Sequence, residues 1–246
     1  MQELTFKRGE YNIYGRLYLP GDQVKLPLVI LSHGYNCDIT STEGYAQCLS
    51  HKGVAAYCYD FVGGCPTSRS GGKTTEMSVL TEAADLRAVI EGFKQDERID
   101  PDRIFLMGFS QGGFVSTYAA CSRPDDIRGL IPCYPAYILQ ADSERRRKEL
   151  PNLPEVMDVM GMTIGRVYTE DSLSFDIYNM MPNYTRKVLI LHGTCDSVVP
   201  YSGSERAVKT FPDAELVLIE GADHWFADQD FVRAVELAAD FVHQNS

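Results

Sequence analysis

Two segments near the amino terminus, Leu4–Arg8 and Asn12–Leu19, alternate in strand fashion, and Gly9-Glu10 and Pro20-Gly21-Asp22 supply turn chemistry at their ends. They predict an antiparallel hairpin. Beyond the hairpin the pattern changes. Short, predominantly apolar runs (Leu28–Leu31, Val54–Tyr59, Ile104–Met107, Gly129–Ile131, Lys187–Leu191 and Glu215–Ile219) recur between segments of helical period (Glu43–His51, Val79–Lys94, Gly112–Ser122, Ser204–Thr210 and Phe231–Val242). A strand buried on both faces has no polar side to alternate with. Such runs, separated by helices, therefore predict a mostly parallel eight-stranded sheet flanked by helices, an α/β fold. Within Val79–Lys94, residues Leu80, Ala83, Ala84, Leu86, Ala88, Val89, Ile90 and Phe93 give the wide apolar face that a helix needs to lie on a sheet.

The alternation breaks between Pro135 and Thr185. A charged run, Ser143-Glu-Arg-Arg-Arg-Lys-Glu149, is followed by Pro151-Asn-Leu-Pro154 and then by Met157, Met160 and Met162 among apolar neighbours. We expect a small inserted lid over residues 137–184, packed on the carboxyl edge of the sheet within one domain spanning 1–246. Its methionines and Tyr137, Tyr168 and Tyr178 fit two readings: the lining of an adaptable cleft, or the insertion's own small core.

Composition narrows the class. A chain of 246 residues with 44% hydrophobic and 23% charged residues is an ordinary globular sequence that can bury one sizeable core. The net charge of −11, without a basic stripe on any expected helix, argues against nucleic acid and anionic membranes as partners. Its blander effect is to keep the protein dispersed. The opening residues form no apolar leader, and no apolar run is long enough to span a bilayer, so the expected location is cytoplasmic. Seven scattered cysteines without C-x-x-C spacing fit reduced thiols. The sequence leaves the oligomeric state open, a homodimer included.

The chemistry centres on Gly108-Phe-Ser110-Gln-Gly112, which follows an apolar strand and opens a helix. The pentapeptide alone is weak evidence. In strand–turn–helix context it is a nucleophile elbow, which projects Ser110 above the sheet while small neighbours clear the turn. A serine hydroxyl needs a base to take its proton, and the base needs an acid to fix its tautomer. The strand Val188–Leu191 runs into a turn carrying Asp196, and the strand Glu215–Ile219 exits towards His224, which gives the chain order Ser110, Asp196, His224. Asp223 adjoins the base in sequence, but a neighbour's side chain seldom points the same way, and Asp228 lies farther off. His192 is expected to support the Asp196 turn, while His51 and His243 sit late in helices. Backbone N–H donors for a developing oxyanion are expected from Gln111, next to the nucleophile, and from Tyr35 in the Ser32-His-Gly-Tyr35 bend; His33 is then a structural part of that loop.

Other motifs lead nowhere. Gly71-Gly-Lys-Thr74 ends like a phosphate-binding loop but has Thr67 where glycine is required. There is no dinucleotide fingerprint, and no histidine or cysteine cluster has metal-ligand spacing, so neither cofactor nor metal is expected. Trp225, beside the base, is expected to pack under its loop.

With these motifs assembled, the chain resembles the α/β-hydrolases throughout. More narrowly, His33-Gly-Tyr35, Gly108-Phe-Ser-Gln-Gly-Gly113, His192-Gly-Thr-Cys-Asp-Ser-Val-Val199 and Ile219-Glu-Gly-Ala-Asp-His-Trp-Phe226 resemble the bacterial cinnamoyl (feruloyl) esterases, as does the short lid after the sixth core strand. The resemblance implies cofactor-free hydrolysis of hydroxycinnamoyl and small aryl or short-chain acyl esters. It carries Ser110, Asp196 and His224 over as triad and Tyr35 and Gln111 as oxyanion donors. It also implies that Asp142 accepts a hydrogen bond from the substrate's phenol. The chain departs from the family pattern at Phe109, where histidine is common, and in the Arg145-Arg-Arg-Lys148 stretch. The phrase Asp100-Pro-Asp-Arg-Ile-Phe-Leu-Met-Gly-Phe-Ser-Gln-Gly112 resembles prolyl oligopeptidase-type peptidases, though no room remains for a propeller domain. A third reading is a binding module that has kept the fold and lost turnover.

Overall fold

The computed structural model describes residues 1–22 and 25–246. In chain order the strands are β1 (Gln2–Arg8), β2 (Tyr11–Tyr18), β3 (Leu26–Ser32), β4 (Ala55–Tyr59), β5 (Ile99–Phe109), β6 (Gly129–Cys133), β7 (Val156–Val159), β8 (Met162–Gly165), β9 (Val188–Gly193) and β10 (Ala214–Ile219). The helices are α1 (Thr40–His51), α2 (Val79–Phe93), α3 (Gln111–Ser122), α4 (Leu139–Glu149), α5 (Val167–Ser172), α6 (Ile177–Met180), α7 (Ser202–Thr210) and α8 (Asp228–Asn245). Eight strands form one sheet in the order β1-β2-β4-β3-β5-β6-β9-β10. The β1–β2 hairpin is antiparallel, as is the β2–β4 pair, and all later neighbours are parallel.

The side-chain period of two explains why the central strands read as continuous apolar runs. In β3, Leu28 and Ile30 join a buried cluster with Leu86, Val89 and Phe93 of α2 and Phe114 and Val115 of α3. Their neighbours Val29 and Leu31 point the other way, into a cluster with Tyr45 and Leu49 of α1 and Ala234, Val235 and Ala238 of α8. Both faces of the sheet are therefore covered by helices, and no polar face remains to alternate. α2 starts where its sequence signal places it. Ser78 Oγ accepts the Thr81 N–H at 3.2 Å, and Thr81 Oγ1 accepts the Ser78 N–H at 2.8 Å, closing a capping box.

Two boundaries differ from the sequence reading for identifiable reasons. β5 begins at Ile99, not Ile104, because Leu26 pairs with Ile99 and a register shift then carries the ladder past Asp100-Pro-Asp102, residues that look like a turn. α1 begins at Thr40, where Asp38 Oδ1 accepts the Thr40 N–H at 2.9 Å.

The segment between β6 and β9 holds α4, the β7–β8 hairpin, α5 and α6, none of which was assigned from sequence. Its hairpin turns through Met160 and Gly161, at φ 47° and 79°, and a two-residue loop with positive φ at both positions matches the twist of the flanking strands. Met162 and Tyr137 are buried in the main core, whereas Met160 is 72% exposed, so the two readings of the insertion's apolar residues apply to different residues. Among the described residues no helix is long and apolar enough to cross a membrane, and no cluster of three potential metal ligands occurs.

Candidate active site

The parallel strands all end at one edge of the sheet, where loops leaving adjacent strands converge. Ser110, between β5 and α3, has φ 53° and ψ −117°, a conformation L side chains rarely adopt, costing on the order of 1–3 kcal/mol. Several hydrogen bonds over-determine it. The Ser110 N–H donates to Cys133 O at 3.0 Å, and Ser110 O accepts from the N–H groups of Gly113 and Ala136 at 3.0 and 2.9 Å. The flanking glycines are required by close approach: a Cβ at Gly108 would lie 2.2 Å from Gly112 O, and one at Gly112 2.2 Å from Ser32 O.

His224, on the loop after β10, places Nε2 3.1 Å from Ser110 Oγ and Nδ1 2.8 Å from Asp196 Oδ2. The Asp196 side chain is completely buried. Burial alone would raise its carboxyl pKa, but hydrogen bonds from His192, His224 and the Val199 and Val198 N–H groups outweigh it and hold the carboxyl well below the usual carboxylate range. An ionised carboxylate can only accept, so His224 Nδ1 carries the proton and Nε2 is free to accept from Ser110. His192 braces the same turn, with Nε2 3.2 Å from Asp196 Oδ2 and 3.0 Å from Val199 O. Asp223 does not face the imidazole. It accepts the His224 N–H at 2.7 Å and the Ser197 N–H and hydroxyl at 2.9 and 2.8 Å, tying the two loops together.

Beside Ser110, the backbone N–H groups of Tyr35 and Gln111 have no protein acceptor among the described residues. The bend that presents Tyr35 is held by His33, whose Nδ1 faces Gly34 O at 2.8 Å and whose Nε2 accepts the Phe61 N–H at 3.1 Å. Burial lowers the His33 pKa, keeping it in the neutral form this pairing needs.

The side chains of Tyr35 and Gln111 reach in the opposite direction, into the segment between β6 and β9. Tyr35 Oη donates to Val159 O at 2.8 Å, and Tyr168 Oη donates to Gln111 Oε1 at 2.6 Å. Gln111 Nε2 donates to Glu82 Oε2 at 2.8 Å. Glu82 is fully buried, and burial pushes its carboxyl up to about 8 against the lowering effect of the Gln111 bond. Nothing in the sequence marks Glu82, because an acid in the first turn of a helix reads as a solvated dipole partner.

Ser110, Gln111, His224 and Tyr35 open onto a cavity of about 290 Å³, lined otherwise mainly by apolar side chains such as Ile138, Leu139, Val159 and Met160. Asp142 lies on its wall, ion-paired to Arg145 at 2.7 Å. Trp225 departs from the expected packing: it is 53% exposed and lines the cavity. The buried position belongs to Phe226, whose ring meets Tyr134 edge-on at 4.9 Å.

The model of the family described as serine aminopeptidase, S33, matches residues 25–177, and that of the TAP-like proteins matches residues 176–242. In sequence the chain is 23% identical to the monoglyceride lipase of Rattus norvegicus over 88% of this chain and 80% of that one. It is 22% identical to the mitochondrial palmitoyl-protein thioesterase ABHD10 of Mus musculus over 91% of this chain and 73% of that one. In structure it is similar to Est1E from Butyrivibrio proteoclasticus, solved with ferulic acid bound, at a TM-score of 0.89 and 24% identity over 98% of each chain. With the family matched over more than half its length and the fold shared from end to end, the chain belongs to the serine aminopeptidase S33 family of α/β-hydrolases and is a serine hydrolase.

Proposed function

We propose that this protein is a serine carboxylesterase acting on small aryl or hydroxycinnamoyl-type esters. One observation carries the reading: an unbroken chain of hydrogen bonds, Ser110–His224–Asp196, opens onto a mainly apolar cavity of about 290 Å³. Ser110 Oγ attacks the ester carbonyl as its proton passes to His224 Nε2, and Asp196 stabilises the resulting imidazolium. The carbonyl oxygen, now an anion, accepts from the Tyr35 and Gln111 N–H groups. Collapse breaks the bond to the alcohol, which leaves with the proton from His224. Water, deprotonated by the same imidazole, then releases the acid and restores Ser110.

In this reading residues 137–184 form a lid, and Asp142 meets the phenol of a hydroxycinnamoyl group. The seven cysteines form no disulfide, which supports a cytoplasmic enzyme. A second reading, hydrolysis of monoacylglycerols, is favoured by the lipase relative and by the exposed Met160, Trp225 and Val198 at the cavity mouth.

The test is kcat/KM on methyl ferulate, p-nitrophenyl acetate, p-nitrophenyl octanoate, a monoacylglycerol and alanine p-nitroanilide. Ser110→Ala should lower turnover of the preferred ester by at least about 10⁴-fold. Preference for ferulate, weakened by Asp142→Ala, supports the hydroxycinnamoyl reading, and preference for the long acyl chain supports the lipase reading. Turnover of the anilide alone, or a Ser110 inert to a fluorophosphonate, sinks both.

A further inference from the structure

We propose that Arg146 is an anion-recognising residue of the substrate cavity, so that the esters this enzyme prefers carry a carboxylate on their acyl or alcohol portion. The inference rests on the esterase reading of the Ser110 site and names the substrate class within it.

The basic run Arg145-Arg-Arg-Lys148 looks, in sequence, like a solvated helix face. On α4 its members diverge. Leu139, Asp142, Ser143 and Arg146 share one face at helical spacing, and the first, second and fourth line the cavity that holds Ser110 and His224. Arg145 and Arg147 are exposed, whereas Arg146 is half-buried. An apolar cavity wall would ordinarily take an apolar side chain at that position.

Arg146 also stands without a counter-charge. Its Nη1 donates to Thr169 Oγ1 at 2.9 Å, and its guanidinium sits 6.0 Å from the centre of the Tyr168 ring. Among the described residues no carboxylate lies within ion-pair distance of it, and Asp142, one turn earlier on the same wall, pairs with Arg145 at 2.7 Å. The remaining guanidinium N–H groups have no partner among the described residues. The other polar side chains on the wall are already engaged: Tyr35 with Val159 O, Tyr168 with Gln111, and Gln111 with Glu82. Glu82 is the buried acid nearest this network, and at neutral pH it keeps its proton and repels no anion. A half-buried guanidinium with unused donors, held against an aromatic ring, matches a carboxylate in charge and geometry. Because the protein as a whole carries −11, its global field does not draw anions, and any preference for them is local.

Two matched substrate pairs separate the acyl side from the alcohol side. The p-nitrophenyl monoester of glutaric acid is compared with p-nitrophenyl hexanoate, and 4-acetoxybenzoate with p-tolyl acetate. In the wild type, kcat/KM for the anionic member of one pair should exceed that for its neutral partner by about tenfold or more, as a charge-assisted contact provides. Arg146→Met should bring that ratio close to unity, mainly through KM, and Arg146→Lys should keep part of it. Arg147→Met, on the exposed side of the same helix, should keep all of it. Binding is read without turnover in Ser110→Ala by the fluorescence of Trp225, the chain's single tryptophan, which lines the cavity. There Arg146→Met should weaken 4-acetoxybenzoate relative to p-tolyl acetate by a similar factor. Ratios near unity in the wild type on both pairs, or ratios that survive Arg146→Met, overturn the proposal while the neutral esters still report the esterase. Failure to hydrolyse any neutral ester counts against the esterase reading instead, and the fluorescence ratio still decides whether Arg146 reads an anion.

Discussion

Replacing Glu82 by glutamine should change the pH dependence of stability by an amount the structure sets. Glu82 is 1% exposed on α2 and accepts the Gln111 side-chain N–H at 2.8 Å. Burial raises its carboxyl from the ordinary 4.5 to about 8. Between those values the folded protein keeps a proton that the unfolded chain has lost, so the folded state binds more protons and stability falls as pH rises. At about 1.4 kcal/mol per pKa unit, the cost is about 1 kcal/mol at pH 5 and about 3 kcal/mol at pH 7. Glutamine accepts the same hydrogen bond and does not titrate. The stability of Glu82→Gln minus that of the wild type should therefore grow by about 2 kcal/mol from pH 5 to pH 7. Urea denaturation of both proteins across that range measures it. The buried Asp85, also raised by burial, to about 7, is present in both proteins and drops out of the difference to first order. Parallel stability curves for the two proteins would refute the reasoning, because they would mean that Glu82 does not change protonation on folding.

Asp196→Asn should cut kcat by about 10³–10⁴-fold, read in steady-state kinetics, because an amide donating to His224 would favour the wrong tautomer. The same substitution removes stability that the lowered Asp196 carboxyl supplies above its unfolded value of 3.8 and loses as pH falls through its folded value, so the variant should show a flatter acid unfolding curve. Tyr168→Phe leaves Gln111 Oε1 buried without its donor and should cost about 1–3 kcal/mol in urea denaturation, with a lower kcat. Gly112→Ala places a Cβ 2.2 Å from Ser32 O and should abolish folding of the elbow, seen as loss of the cooperative thermal transition; Gly161→Ala, whose Cβ meets nothing within 4 Å, bears only the strain of its φ of 79°, on the order of 1–2 kcal/mol, and should leave that transition measurable.

The sheet and its covering helices were legible because burial on both faces leaves its mark on every central strand. Val29 and Leu31 serve one core while Leu28 and Ile30 serve the other. Ser110, Asp196 and His224 were legible for a different reason. Each sits on the turn or loop that follows a strand that announces itself, so finding the strand ends finds the loops. The segment between β6 and β9 offered no such handle. α4 has few apolar residues, with only Leu139 and Ser143 buried, and its helical face is written in Asp142 and Arg146. The β7 and β8 strands are only four residues each, β7 is half exposed, and the turn that joins them, Met160-Gly161, lacks the asparagine or aspartate that usually signals positive φ.

Glu82 and the side-chain contacts of Gln111, Tyr168 and Tyr35 escaped the sequence reading for one physical reason: they join partners that are distant in the chain. Glu82 has meaning only through Gln111, Gln111 through Tyr168, and Tyr35 through Val159, the last across 124 positions. Tyr35 and Gln111, whose backbone N–H groups beside Ser110 have no acceptor among the described residues, are thus fastened by their side chains to the segment that walls the cavity. Motion of that segment would be felt at those N–H groups directly, without passing through the imidazole. A substitution in α4 or the β7–β8 hairpin that shifts only substrate affinity would show the wall moving alone. One that lowers kcat with Ser110, Asp196 and His224 untouched would show that the wall and the N–H groups proposed to stabilise the anion move as a unit.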